Sequence, residues 1–301
     1  MGAAKFIRGL VRRIDPARLT VVVNTGDDET FYGLHVSPDI DTITYTLARV
    51  VNRAQGWGLE GESFNALAAL ERFYGKPWFG LGDLDLATHL YRTERMHQGT
   101  SLSAITEEIA GAFGVNSRVL PMSDDRVRTF VKLRGRRAIP FQEYFVRGRA
   151  RGAVEKIELR GIADARPTPA VLTAIHKSDA IILAPSNPFV SLGPILQLKG
   201  VRDALRRVKS RVAAISPIVG GQTIKGPADK MLRGLGMEVS ALGVARLYRD
   251  IVGLFVMDNA DRQYVEAIEA LGMRAITTDT IMSTPERAAA LAKMVLQGLH
   301  V

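Results

Sequence analysis

Acidic residues gather in one stretch near the start of the chain, TGDDETFYGLHVSPDIDT (25–42). It contains two pairs of acids, Asp27 with Asp28 and Asp39 with Asp41. Ser37 and Pro38 are typical of a helix N-cap and a first helical residue, so the second pair falls in the first turn of a helix. The helix dipole favours acids there, which explains one of that pair without any function. Together the two pairs are suited to hold a hard cation such as Mg²⁺ through carboxylate oxygens.

A third acidic pair stands in GLGDLDLATH (80–89), where Asp83 and Asp85 repeat the spacing of the first-turn acids. The repetition strengthens the hypothesis of a site that binds metal or substrate. His89 closes this stretch. The histidines of the chain show no metal-ligand spacing, so we interpret His89 as a capping or packing residue, with a catalytic role as the alternative.

Two further stretches are suited to bind phosphate or a nucleotide. PSNP (185–188) is a tight turn after a predicted strand, and it offers the Ser186 hydroxyl, the Asn187 amide and backbone N–H groups. A purely structural turn is the alternative. GGQTIKGPADK (220–230) combines glycines, which allow close approach of the backbone, with Lys225, although its spacing is not that of a P-loop.

Several mechanisms are excluded by residues that the sequence lacks. It contains no cysteine, which excludes disulfides, thiolate nucleophiles and cysteine-based zinc sites. No serine lies in a G-x-S-x-G elbow, so a serine hydrolase of that type is not indicated. No intact G-x-G-x-x-G supports a dinucleotide-dependent oxidoreductase.

The chain of 301 residues is basic, with a formal net charge of +9, and 47% of it is hydrophobic. Apart from short clusters such as RGRR (134–137) and RGRAR (147–151), the positive residues are scattered and accompany no nucleic-acid-binding motif. We therefore predict a solvated basic surface and no nucleic acid partner. The apolar runs are shorter than the roughly 20 residues that cross a bilayer, and there is no signal-peptide h-region. We expect a cytoplasmic protein without a membrane partner.

Short β-branched runs alternate with segments of helical periodicity, which predicts an α/β fold with a mainly parallel sheet and helices on both faces. The predicted strands are 19–24, 117–122, 179–185, 211–217 and 251–258. Between about 52 and 116 the apolar spacing predicts a mainly helical insertion, covering the sheet edge or the site. The stretch 123–168 is irregular, with a hairpin around Gly135, and Thr284 and Pro285 begin the last helix. We expect one domain over 1–301, with ligands beyond the carboxyl ends of the strands.

Taken together, these motifs resemble those of the 2-phospho-L-lactate transferase family of coenzyme F-420 biosynthesis. The matching stretches, in order, are VVVNTGDD, SPDIDT, LGDLDLATH, LPMSDD, APSNPFVSLGPIL, ISPIVGG, KGPADKM and MSTPERAAALA. They span nearly the whole chain. The resemblance implies a Rossmann-like, three-layer, often dimeric transferase that requires Mg²⁺. It would move 2-phospholactate or phosphoenolpyruvate from a guanosine diphosphate-linked donor to the terminal hydroxyl of the deazaflavin Fo, releasing GMP.

The resemblance also implies roles for individual residues. The implied metal ligands are Asp27, Asp28, Asp39 and Asp41. Of these, Asp39 and Asp41 would be catalytic, because they would also orient the Fo hydroxyl. The implied contacts to Fo are Asp41, Asp83 and Asp85. The implied contacts to the nucleotide and its phosphates are Gly2, Lys5, Asn24, Asp124, Ser186, Asn187, Pro188, Ser216, Lys225 and Gly226.

The start of the chain departs from the family pattern. Apolar residues four apart, Phe6, Leu10 and Ile14, predict that the chain begins inside a helix. Family members begin with a strand and a glycine loop of the form S-G-G-x-G-x-x-K, of which Gly2 and Lys5 are present here. We expect either that the natural protein extends upstream, with a GTG codon read as the start, or that this first strand and two phosphate-facing glycines are truly missing.

A regulatory protein is the competing interpretation. Relatives that resemble the gluconeogenesis factor share the predicted sheet and bind UDP-sugars without turning them over. The stretches SPDIDT (37–42) and GDLDLATH (82–89) favour the transferase instead. The identity of the phospho-acid is left open, because the candidate acids differ by only a few atoms.

Overall fold

The computed structural model describes residues 2–301, which form helices and short strands in alternation. The helices are α1 (Gly2–Leu10), α2 (Pro38–Leu47), α3 (Asn65–Tyr74), α4 (Asp83–His97), α5 (Leu102–Ala112), α6 (Pro169–Lys177), α7 (Leu192–Gln197), α8 (Val201–Arg207), α9 (Ala228–Gly234), α10 (Ala241–Tyr248), α11 (Val265–Glu269) and α12 (Pro285–Leu299). The strands are β1 (Thr20–Val23), β2 (Glu29–Phe31), β3 (Leu34–Val36), β4 (Arg118–Pro121), β5 (Arg128–Leu133), β6 (Ala138–Pro140), β7 (Val154–Arg160), β8 (Ile181–Leu183), β9 (Val212–Ile215), β10 (Ile218–Val219), β11 (Gln222–Thr223), β12 (Leu254–Asp258) and β13 (Arg274–Thr278).

The parallel strands lie in two sheets. One has four strands in the order β13-β12-β9-β8, and the other pairs β1 with β4. The predicted α/β class with parallel strands is confirmed. No backbone ladder among residues 2–301 joins β1 to β8, so the parallel strands form two sheets. Packing between side chains and helices joins the two sheets instead.

Helix α1 makes that connection on one face of the two sheets. Its Phe6 packs in a core with Ile215 of β9, and that core also contains much of α12. Its Ile7 packs in a different core with Val23 of β1 and Val119 of β4. Because adjacent helical residues point about 100° apart, Phe6 and Ile7 face different cores, and one short helix serves both sheets.

Residues of β12 show that both faces of the larger sheet are covered. Leu254 and Val256 face the core that contains α12, whereas Phe255 and Met257 face a second core. That second core also contains Leu120 of β4, so it joins the two sheets on the opposite face. A strand with both faces buried is typical of a three-layer α/β arrangement.

All five predicted strands are present as β1, β4, β8, β9 and β12. Strand β13 was not predicted. It lies at the edge of the sheet, pairs with β12 alone, and is only half-buried, which fits its short sequence RAITT. Edge strands carry a weak hydrophobic signal because one side faces solvent.

Three helices, α3, α4 and α5, occupy the stretch 52–116, whereas 52–64 contains turns and no regular helix. Helix α5 buries Leu102, Ile105 and Ile109, as its spacing predicts. Helix α3 is present within the predicted helical stretch, but none of its residues is buried and Phe73 is 80% exposed. Its apolar spacing is that of a helix, but it packs only lightly against α4.

The stretch 123–168 contains an antiparallel sheet in the order β6-β5-β7. Gly135 lies in the turn between β5 and β6 with a positive φ of 70°, a conformation that favours glycine. Beyond β6, the rings of Phe141 and Phe145 stack with their centroids 5.4 Å apart. This small sheet supports one wall of the cavity described below.

The last helix begins as its sequence predicts. The Thr284 side chain accepts a hydrogen bond from the Arg287 amide at 3.3 Å, and Pro285 is the first helical residue. Within residues 2–301 no helix has the length and apolar character that crossing a membrane requires.

Candidate active site

A cavity of about 510 Å³ lies where the parallel strands end. Its walls include Asp27 after β1, Ser186 after β8, Ser216 after β9 and Thr280 after β13. The carboxyl ends of parallel strands are where open α/β sheets bind ligands. The cavity is therefore the candidate active site.

The structure brings most of the predicted site residues to this cavity. Those that line it are Gly2, Lys5, Asp27, Asp39, Asp41, Asp85, Ser186, Asn187, Ser216, Lys225 and Gly226. Those that do not line it are Asn24, Asp28, Asp83, Asp124 and Pro188.

Asn24 lies directly behind the cavity wall and is buried. Its Nδ2 donates to Asp39 Oδ2 at 3.0 Å and to the Val190 carbonyl at 3.2 Å. Its Oδ1 accepts from the Gly26 amide at 2.8 Å. Asn24 therefore fixes the orientation of Asp39 and the turn that carries Asp27.

Asp28 turns away from the cavity and lines a second one of about 330 Å³. Its Oδ2 accepts from the Ser37 hydroxyl at 2.7 Å and lies 3.1 Å from His35 Nε2. Ser37 is the N-cap residue of α2, but its hydroxyl bonds Asp28 rather than the helix backbone. Asp124 also lines the second cavity, where it accepts from the Ser103 amide at 2.7 Å.

Asp83 begins α4 on its exposed side and caps the neighbouring α3. Its carboxylate accepts from the Ser63 hydroxyl at 2.6 Å and from the Asn65 and Ala66 amides at 2.9 Å. These hydrogen bonds, led by that of Ser63, lower the pKa of Asp83. The residue holds two helices together and does not face the cavity.

One wall of the cavity is formed by charged and polar side chains of α2 and α4, and we call it the inner wall. Its members are Asp41, Tyr45, Asp85, His89 and Arg92. All but Arg92 line the cavity. His89 lies in the middle of α4 rather than at an end, so it does not cap the helix.

The side chains of the inner wall are linked to one another. Arg92 donates two hydrogen bonds to Asp41, one of them from Nη1 to Oδ2 at 3.2 Å. His89 Nδ1 lies 3.3 Å from the same Nη1, and its Nε2 lies 3.4 Å from Asp85 Oδ2. Tyr45 donates its hydroxyl hydrogen to Asp85 Oδ1 at 2.6 Å. The wall is thus a continuous polar network.

The network keeps its members in defined charge states. Burial by itself lowers the pKa of Arg92, but the charge of Asp41 and its hydrogen bonds outweigh burial and raise it. Burial by itself raises the pKa of Asp85, yet the hydrogen bond and charge of His89 hold it below the usual range. Burial and the charges of Asp41 and Asp85 raise the pKa of Tyr45, which stays a hydroxyl donor.

Asp27 and Asp39 form a second acidic group beside the inner wall. Asp27 is buried, and its Oδ1 has no hydrogen-bond partner within residues 2–301. Burial, followed by the charges of Asp39 and Asp28, raises the pKa of Asp27 well above its usual range. A cation would relieve this repulsion, and carboxylate oxygens are the ligands that Mg²⁺ prefers, so the donor set fits that ion.

A different set also lies within ligand distance of a common point. One donor atom each from Asp41, Asp85 and His89 lie within 4.8 Å of one another. Asp41 is already paired with Arg92, however, and Asp85 accepts from Tyr45. These carboxylates already accept hydrogen bonds from Arg92 and Tyr45, whereas Asp27 Oδ1 has no partner among residues 2–301, so Asp27 has more capacity left to bind a cation.

Positive charge also borders the cavity. Lys5 and Lys225 both line it, and neither forms a salt bridge within the described part of the chain. Partial burial lowers the pKa of Lys5, and the nearby charges of Lys225 and Arg8 lower it further. Two ammonium groups that repel each other form a site suited to an anion such as a diphosphate.

A second wall, which we call the outer wall, is formed by residues 52–80. Its Trp57 and Phe79 line the cavity. Phe79 stacks on Phe31 with ring centroids 4.1 Å apart, and Trp78 meets Phe31 edge-on at 5.3 Å. The outer wall therefore presents flat apolar surfaces to the cavity, opposite in chemistry to the inner wall.

Gly80 ends the outer wall with little space beside it. A Cβ atom at this position would lie 2.9 Å from the ring of Trp57, closer than real Cβ contacts. A side chain at this position would displace the ring of Trp57, so glycine lets the indole approach the backbone beside the cavity.

Sequence reasoning missed several residues of the site. Arg92 and Tyr45 were not predicted, and neither were the aromatic residues Trp57 and Phe79. A signal for Arg92 exists, because Asp85, His89 and Arg92 are spaced by four and three residues and so share one helical face. The aromatic residues carry no such signal, since large apolar side chains in loops are common.

Comparison with known proteins identifies the family of this chain. Residues 1–296 match the protein family described as 2-phospho-L-lactate transferase CofD. The chain is 42% identical to a phosphoenolpyruvate transferase of Kitasatospora aureofaciens, over 98% of this chain and 94% of that protein. It is 37% identical to a 2-phospho-L-lactate transferase of Methanosarcina mazei, over 99% of this chain and 97% of that protein.

The fold is shared with a solved structure as well. A crystal structure of a UPF0052 family member from Bacillus halodurans superposes with a TM-score of 0.64, covering 98% of this chain and 96% of that chain. The sequence identity is 16%, so this likeness concerns the fold alone. The match over nearly the whole chain and the identity to curated relatives show that this chain belongs to the 2-phospho-L-lactate transferase family, CofD.

Proposed function

We propose that this protein transfers a phospho-acid, phosphoenolpyruvate or 2-phospho-L-lactate, from a guanosine diphosphate-linked donor to the terminal hydroxyl of the deazaflavin Fo. GMP would be released, and the product would enter coenzyme F-420 biosynthesis. The names of the relatives support a transferase of this kind. The observation that carries the proposal is one cavity with carboxylates, lysines and an apolar aromatic wall in separate places.

These three surfaces match the three chemical parts of the reaction. The outer wall, with Trp57 and Phe79, is suited to the flat ring system of Fo. Lys5 and Lys225 are suited to the diphosphate, and the Ser186–Asn187 turn offers polar groups to the nucleotide. The acceptor hydroxyl would then lie beside the carboxylates of the inner wall.

The reaction needs positioning more than a covalent nucleophile. The acceptor oxygen forms a bond to the phosphorus that carries the phospho-acid, and the bridging P–O bond to GMP breaks. The hydroxyl proton leaves to a carboxylate. Asp41 is placed to orient this hydroxyl, because it lines the cavity while its other contacts fix it to α4.

We also propose that the enzyme uses Mg²⁺. Asp27 and Asp39 would hold the ion, because they are acidic, adjacent and without a cationic partner among residues 2–301. When bound, Mg²⁺ would neutralise charge on the diphosphate and on the leaving GMP. Asp28, an implied ligand, is the weaker candidate because it faces the second cavity. A cytoplasmic homodimer, as implied by the family resemblance, completes the proposal.

The experiment is mass spectrometry of reactions that contain Fo, Mg²⁺ and the guanylated forms of phosphoenolpyruvate, 2-phospholactate and 3-phosphoglycerate. A product with the mass of Fo plus one phospho-acid would support the proposal and identify the donor. Omission of Mg²⁺ should abolish that product. If the folded protein makes no product but binds a UDP-sugar tightly, the transferase proposal is wrong and a regulatory role replaces it.

A further inference from the structure

Arg92 is the largest fully buried side chain described in the structure, with 0% of its surface exposed. A guanidinium group that leaves water loses a large hydration free energy unless charged partners replace it. Here the only salt bridge of Arg92 within residues 2–301 is with Asp41. Its Nε has no hydrogen-bond partner. A buried ion pair that only joins two helices is often replaceable by well-packed hydrophobic residues without loss of stability.

The contact has the geometry of a clamp. Two nitrogen atoms of the Arg92 guanidinium donate to the two carboxylate oxygens of Asp41, which fixes both the position and the rotation of the carboxylate. Arg92 lies behind Asp41 and does not line the cavity, whereas Asp41 does. Any effect of Arg92 on a bound ligand must therefore pass through Asp41.

Another arginine of the same helix provides a comparison. Arg95, three residues later, pairs with Glu108 of α5 at 2.9 Å, but this pair is about one-third exposed. Neither Arg95 nor Glu108 lines the cavity. Helix α4 therefore carries one structural arginine pair and one pair aimed at the site.

From these contacts we infer that Arg92 is a positioning residue for the proposed transfer. It holds Asp41 as an oriented carboxylate beside the acceptor hydroxyl, and a point charge without the planar fork cannot replace it. This inference rests on the proposed function. It predicts that replacing Arg92 lowers kcat, because the acceptor is then less well oriented. The binding of donor and acceptor should not change.

The test compares Arg92→Lys and Arg92→Ala with the matched variants Arg95→Lys and Arg95→Ala. Steady-state kinetics would give kcat and KM for Fo, and calorimetry would give the Kd of GMP. We expect Arg92→Lys to lower kcat about 100-fold, with KM for Fo and Kd for GMP within about threefold of wild type. The Arg95 variants should keep kcat within about threefold.

Chemical rescue provides a readout that a purely structural role would not move. Added methylguanidinium fits the space that Arg92→Ala opens beside Asp41, and we expect it to raise kcat of this variant about tenfold. The same additive should leave Arg95→Ala unchanged. The double variant Arg92→Ala/Asp41→Asn should not respond either, because the space is open but the carboxylate that the additive would orient is gone.

The outcomes separate this inference from the proposed function. If the wild type makes no product, the proposed function is wrong and the inference falls with it. If the wild type is active and Arg92→Lys keeps kcat within about threefold, the inference alone is wrong. If neither Arg92 variant folds, by circular dichroism and GMP binding, Arg92 has only a structural role, and the inference is again overturned.

Discussion

The inner and outer walls of the cavity are built in opposite ways. The inner wall places Asp41, Asp85 and His89 on buried helix faces, where each has a polar partner. The outer wall consists of turns and of α3. None of the residues of α3 is buried. Side chains that carry out chemistry need a fixed geometry, whereas a surface that covers a ligand must admit and release it. Under the proposed function, this difference fits chemistry at the inner wall and access at the outer wall.

Helix α4 connects the two walls through a pair of acids. Asp83 and Asp85 are two residues apart, so they point about 200° apart around the helix. Asp83 caps α3 of the outer wall, and Asp85 joins the polar network of the inner wall. The two acids of one helical turn therefore serve different walls.

The largest effect is expected on the inner wall. Asp41→Asn removes the charge that faces the acceptor and leaves the buried Arg92 without its ionic partner. We expect kcat to fall about 10³-fold, measured by product formation with saturating substrates. Asp250→Asn is the control, since Asp250 pairs with Arg202 away from the cavity and should keep wild-type turnover. Equal turnover of the two variants would contradict the role of the inner wall.

Truncating a side chain should cost more free energy of unfolding beside the inner wall than in the outer wall. Ile40 of α2 is completely buried, so Ile40→Ala should lower the free energy of unfolding by about 2–5 kcal/mol. Leu70 of α3 is only half-buried, and Leu70→Ala should lower it by less than about 1 kcal/mol. Urea denaturation measures both values. A similar loss for both variants would mean that the outer wall is as firmly packed as the inner one.

Kinetics should separate access from chemistry at Trp57. Trp57→Ala removes an apolar ring from the cavity but no charge. We expect KM for Fo to rise about tenfold, because one stacking contact is lost. The value of kcat should change by less than about threefold. A loss in kcat equal to that of Asp41→Asn would place Trp57 in the chemistry and remove the distinction between the walls.

The smallest effect is expected at the surface of α3. Phe73 is 80% exposed, so Phe73→Gln should change the free energy of unfolding by less than about 0.5 kcal/mol. The same variant should keep kcat and KM. Urea denaturation and steady-state kinetics check both. A larger destabilisation would show that this aromatic side chain is covered in solution.

The difference between the walls also explains what the sequence could predict. Strands such as β9 and β12 are short β-branched or apolar runs, and buried runs of this kind have a strong local signal. The acids of the inner wall, Asp41 and Asp85, were predicted because each lies in the first turn of a helix. Which acid of the 27–28 pair faces the cavity was not predictable, since adjacent residues point in different directions and the turn conformation decides.

Other features depend on contacts between distant parts of the chain. Arg92 meets Asp41 across 51 residues, a pairing that helical periodicity alone does not reveal. The exposure of α3 was missed because its apolar spacing is that of a packed helix. The packing that joins β1 and β4 to the larger sheet passes through α1, and the strand pattern does not contain it.

The location of two side chains in the outer wall has an optical consequence. The chain contains two tryptophans, Trp57 and Trp78, and both belong to the outer wall. Trp57 contacts the cavity, while Trp78 packs against Phe31 behind it. Indole emission from the unlabelled protein therefore originates entirely in this wall. The wavelength and intensity of this emission report the surroundings of the outer wall, and they do not report the inner wall, where we propose that the bond is made.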